Sequence, residues 1–204
     1  MTYPWQESQQ AYREAAAWFQ AIVARVNGRW GEPGLGEWDV RALVGHTSRS
    51  LLTVEAYLKQ PAAAVIVDSP VAYYLATHAL SSGPGVVQRG RDAGKTLGAD
   101  PAASVATIAA RVLALVDRMT GDEVPTTIAG GMRLVDYLPT RILELTVHTA
   151  DLATALGLPV EPPALPAAVT LRLLCDLAVA RGEAGPLLLA ATGRGSLPGD
   201  YSVL

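Results

Sequence analysis

Residues 141–157 read RILELTVHTADLATALG, and this stretch decides the fold. Leu143, Leu145, Val147, Leu152 and Ala153 spread apolar side chains almost all round a helix, which predicts a helix buried on nearly every face. Into that apolar cylinder the sequence sets Arg141, Glu144, His148 and Asp151, a stripe at i, i+3, i+7 and i+10. Glu144 and His148 are one turn apart, so a carboxylate oxygen and an imidazole nitrogen can converge on one cation. A buried carboxylate without a partner is costly, and Glu144 demands a cation or several donors. Two readings stand side by side: a structural Arg141–Glu144 pair, or a metal.

A second helix, roughly 40–60 and closed by Pro61, carries a third donor. WDVRALVGHTSRSLLTVEAYL, residues 38–58, has Asp39 as its N-cap and an apolar face of Leu43, Val44, Thr47, Leu51, Val54 and Leu58. His46 falls close to that face. Two histidines and one carboxylate make the three-ligand set of a catalytic metal site with an open position. Asp151, a turn beyond His148, is placed to accept from its second ring nitrogen; a solvated helix-end charge is the alternative. Arg141 is placed to pair with Glu144 or with an anionic group of a substrate.

Outward from these two helices, the periodicity predicts a first helix over 5–27, ended by Gly28. A further helix opens at Asp100-Pro101 and ends before Gly121. The 141–157 stretch belongs to a helix over roughly 133–156, with Pro139 in its first turn or at a kink, stopped by Gly157 and Pro159. Between 61 and 100, proline and glycine punctuate two short helical pieces near 70–80 and 84–96, an insertion or a lid. PTTIAGG, 125–131, reads as a glycine-bearing turn or a short extended piece. Pro162, Pro163 and Pro166 form a rigid linker to a fifth helix over 165–182. The last stretch, GPLLLAATGRGSLPGDYSVL, reads as one or two short strands or an extended tail. The fold class is mostly all-α: a helical bundle with an inward-facing site over 1–160, and a short extension over 161–204 packed on it.

Composition excludes several classes. Half of the 204 residues are apolar, enough to bury a core, and the formal charge is −3 with no basic stripe, which argues against nucleic acid. No apolar run reaches the roughly 20 residues of a membrane span, and the N-terminus lacks a leader's pattern. A cytoplasmic location is the expectation, with a homodimer left open. The lone Cys175 excludes an internal disulfide and, inside VTLRLLCDLAVA, reads as a buried, inert thiol. His78 has no carboxylate at helical spacing and reads as a surface or partly buried histidine. TGRG at 192–195 lacks the phosphate-loop pattern.

WDVRALVGHTSRS, DYLPTRILELTVHTADLATALGLP and LLLAATGRGSLPGDYSVL together resemble the actinobacterial proteins related to mycothiol-dependent maleylpyruvate isomerase, in the superfamily of DinB-like four-helix bundles. The shared features are a Trp eight residues ahead of a helix-borne His, a Glu-x-x-x-His-x-x-Asp stripe and a terminal Thr-Gly-Arg element. The resemblance implies that His46, Glu144 and His148 bind a divalent metal, zinc first, with nickel or iron(II) as alternatives. It further implies mycothiol as cosubstrate, in an isomerase or S-transferase acting on a small electrophile. A metal-dependent hydrolase, or a non-catalytic metal-binding protein that holds a small ligand under stress, is the other reading.

Overall fold

The structure is a computed structural model that describes residues 3–81 and 85–204. In chain order it has α1 (Trp5–Val23), a hairpin of β1 (Pro33–Leu35) and β2 (Trp38–Asp39), α2 (Val40–Leu58), α3 (Pro70–Ser81), α4 (Gly85–Thr96), α5 (Pro101–Val116), a second hairpin of β3 (Thr126–Thr127) and β4 (Gly130–Gly131), α6 (Leu134–Ala155), α7 (Ala164–Ala180) and α8 (Ala184–Ala191). The helices expected near 70–80 and 84–96 are α3 and α4, although position 84 lies outside the described residues.

The starts follow the capping residues. Asp39 accepts from the Ala42 amide at 2.7 Å, and Asp100 accepts from Ala103 at 3.0 Å with Pro101 at the first helical position. α1, α2, α5 and α6 share one core and form a mostly helical bundle, the expected fold class. Tyr12, Phe19, Leu43, Leu51, Val112, Leu138, Leu145 and Leu152 are fully buried there. Each buried Leu or Phe side chain contributes roughly 1.5–3 kcal/mol relative to exposure. α7 lies over α1 and α6, and α4 lies along α2.

The α2–α4 approach is set by glycine. A Cβ on Gly45 would stand 2.2 Å from the Gly94 amide nitrogen, and one on Gly90 would stand 2.5 Å from the Trp38 ring. A larger residue at Gly45 would force α2 and α4 apart, and one at Gly90 would displace the Trp38 ring. The segment after α2 is stitched to the β3–β4 hairpin, where Ile66 and Val67 both donate to the Gly131 carbonyl, at 2.7 and 3.0 Å.

Four sequence readings are corrected. Residues 184–191 form helix α8 instead of a strand, because Gly185 and Pro186 suit a first helical turn and Gly193, at φ 68°, closes the end in the left-handed region. Only 192–204 is irregular. Pro166 is the third residue of α7, not part of a linker, where its missing amide costs no hydrogen bond. Pro139 is the sixth residue of α6, beyond its first turn. Cys175 is exposed, on the outer face of α7. Among the described residues, no single helix is long and apolar enough to cross a membrane.

Candidate metal centre

α2 brings His46 against α6, and α6 supplies Glu144 and His148 from consecutive turns. One ligand atom from each of the three lies within 4.8 Å of the others. Bonds of about 2.1 Å in a tetrahedral site put donors roughly 3.4 Å apart, so small side-chain movements close the set around an ion. His148 Nε2 is already 3.3 Å from Glu144 Oε2, and its other nitrogen, Nδ1, is 3.0 Å from Asp151 Oδ2. Spacing along the helix thus brings Asp151 to the ring nitrogen that the cluster does not use.

Trp38 orders the histidines. Its ring lies 4.4 Å from the His46 ring, centre to centre, and 6.5 Å edge-on from His148. Its own place is fixed by Nε1 donating to the Val87 carbonyl at 3.0 Å, over Gly90. On the other side Tyr74, from α3, brings its hydroxyl within 2.9 Å of Glu144 Oε1 and 3.1 Å of the Thr140 carbonyl. The carboxylate is the stronger acceptor for the single phenolic proton. Tyr74 therefore occupies one carboxylate oxygen and leaves Oε2 to the cluster. Nothing in the periodicity of residues 61–100 marks Tyr74; the polar–aromatic content of an otherwise apolar short helix, YYLATH, was the only available signal.

The electrostatics fit a cation. Burial, with the His148 charge, depresses His46 to about 4, so its imidazole is neutral and offers a lone pair. Its Nδ1 is buried with no hydrogen-bond partner among the described residues. Burial would raise Glu144, but the His148 hydrogen bond and the Arg141 charge outweigh it and hold the carboxyl at about 2. Burial likewise works against a charged His148, while Asp151 and Glu144 together lift it to about 9. The two carboxylates thus favour positive charge at the His148 ring, beside Glu144. A divalent ion is an alternative occupant for that position. The donor set, two imidazoles and one carboxylate, suits zinc, nickel or iron(II).

The cluster opens into a cavity of about 690 Å³ that reaches α3, α4, the hairpins and the C-terminal residues Val203 and Leu204. His78 is exposed and lines it. Arg141 is not paired as its spacing from Glu144 suggested: no carboxylate lies within salt-bridge distance of it among the described residues. Its guanidinium sits over Tyr137 and Tyr73 instead, 4.9 and 5.5 Å from the ring centres.

Neither a curated protein nor a solved structure matches the chain. The family described as Mycothiol maleylpyruvate isomerase N-terminal domain matches residues 12–153, more than two thirds of the sequence. That span runs from the core of α1 to the last turn of α6 and takes in all three candidate ligands, so the chain belongs to the mycothiol maleylpyruvate isomerase N-terminal domain family.

Proposed function

We propose that this protein is a metal-dependent enzyme that uses a low-molecular-weight thiol, mycothiol, as cosubstrate, in an isomerisation or S-transfer on a small electrophile. The observation that carries this reading is the convergence of His46, Glu144 and His148 on the wall of an open cavity, with space beside them for two reactants. A divalent metal held by these three residues supplies acidity, lowering the pKa of a thiol or water that reaches it.

The chain's own residues do the rest. His46 and His148 present ring nitrogens, and Glu144 presents one oxygen because Tyr74 engages the other. Asp151 fixes the tautomer of His148 and raises its basicity. Trp38 seals the wall behind His46. In net terms the thiol adds across an activated double bond: the S–H bond and the π bond break, and S–C and C–H bonds form. Rotation and loss of the thiol give the cis–trans isomer; retention of the thiol gives transfer.

The test is metal analysis of untagged protein, followed by consumption of mycothiol in the presence of electrophiles. One equivalent of metal is expected, with metal-dependent thiol consumption for a transferase, or thiol-dependent cis–trans conversion without net thiol loss for an isomerase. A protein that takes up no metal refutes the site. A loaded protein that neither consumes thiol nor shows thiol-dependent cis–trans conversion with any electrophile refutes the thiol chemistry and leaves a hydrolase or a small-ligand binding protein.

A further inference from the structure

Arg141 is the buried charge of the cavity that the metal chemistry leaves unused. Its side chain is only 9% exposed, yet it lines the cavity. Nε donates to Thr140 Oγ1 at 2.9 Å, and the terminal nitrogens have no acceptor among the described residues. A buried cation with no carboxylate in contact is unfavourable; Glu144 attracts it only from beyond salt-bridge distance, and the faces of Tyr73 and Tyr137 offset only part of that cost. The planar fork is thus held rigidly in place with its donor pair open to the cavity, the geometry that a carboxylate matches with two hydrogen bonds.

The surroundings agree in sign. Among the described side chains that line the cavity, Arg49, Arg89, Arg141 and Arg181 stand with one carboxylate, Glu144, and Arg181 is also paired with Glu183 at 3.5 Å. A lining of that balance draws an anion. The remaining walls are largely aliphatic: Leu35, Leu75, Val86, Ile128, Leu177 and Val203. A small, wholly polar dianion would leave these walls in contact with water.

We propose that the guanidinium of Arg141 is the receptor for the carboxylate of an amphipathic acid, whose apolar body lies along the aliphatic walls. Unsaturated carboxylic acids with an aromatic or branched body are then the class of electrophile. The word electrophile rests on the thiol chemistry proposed above; the binding does not.

The experiment compares cinnamate with its neutral isostere cinnamamide by titration calorimetry, in metal-stripped and in zinc-loaded protein. In both, wild type is expected to bind the acid at least tenfold more tightly, as charge-assisted hydrogen bonds imply. Arg141→Gln should reduce that preference to below about twofold, and Arg141→Lys should restore only part of it. Equal affinity of wild type for acid and amide overturns the proposal without recourse to any variant. So does a preference that exists only with zinc present and survives Arg141→Gln, since the carboxylate then sits on the metal. Failure to bind zinc or to consume thiol leaves the acid preference of the stripped protein intact, so the two readings fail separately.

Discussion

Asp151 stands 3.0 Å from the ring nitrogen of His148 that points away from Glu144, and Tyr74 stands 2.9 Å from the carboxylate oxygen of Glu144 that points away from His148. Each would hold a proposed ligand by its far side. Asp151→Asn should keep the fold and weaken metal affinity by about 10–100-fold, and Tyr74→Phe by about tenfold, both read by chelator competition. Wild-type affinity in both variants reduces these contacts to ordinary packing. Legibility differed between the two residues for a physical reason. Asp151 shares a helix with its partner, so a fixed period places it. Tyr74 reaches Glu144 across 70 residues, from a helix whose path only the tertiary fold determines. The same holds for Arg141: the period placed it near Glu144, but Tyr73 and Tyr137 decided which way its guanidinium turned.

At the level of elements, the long helices were readable because each combines an apolar period with a cap. Asp39 and Asp100 mark starts, and Gly28 and Gly121 mark the turns after α1 and α5. α8 was not readable in the same way, since a run as short as LLLAA carries no period that separates helix from strand. The α2–α4 contact was also silent, because a glycine in a helix records a close neighbour without naming it. Gly45→Ala should cost about 3 kcal/mol in urea unfolding, since the added methyl meets backbone that cannot step aside. The turn after α5 offers a pH test. Glu123 accepts from the Thr120 and Gly121 amides, both at 2.9 Å. Burial opposes its charge, yet these backbone donors win and hold its pKa below the ordinary carboxylate value. Its stabilising effect is therefore full above pH about 4.5 and fades as the pH falls through the lowered native value. Glu123→Gln should be about 1 kcal/mol less stable than wild type at pH 7, with the gap narrowing below pH 4. A gap that is constant with pH excludes the charge as its cause.

For the whole molecule, the proposed ion ties two helices that approach from different parts of the chain. Binding to the folded state alone stabilises by about 2.7 kcal/mol at a hundred times the dissociation constant. For a chain of this length that corresponds to about 5–10 °C in Tm. Zinc-loaded wild type should lose this increment on chelation, while His148→Ala should melt at the same temperature with and without chelator. An unchanged wild-type melt, in protein shown to start loaded, refutes the coupling. The exposed thiol of Cys175 has a practical consequence at this scale. It lies on the outer face of α7 between the exposed Leu171 and Val179, and it is the chain's single sulfhydryl. An assay that follows the disappearance of thiols will count one sulfhydryl per polypeptide before any cosubstrate is added, so Cys175→Ser is the proper background for kinetics. In the unmodified protein the same atom gives a single point for attaching a polarity-sensitive dye, whose emission would report whether that apolar strip is wet or covered.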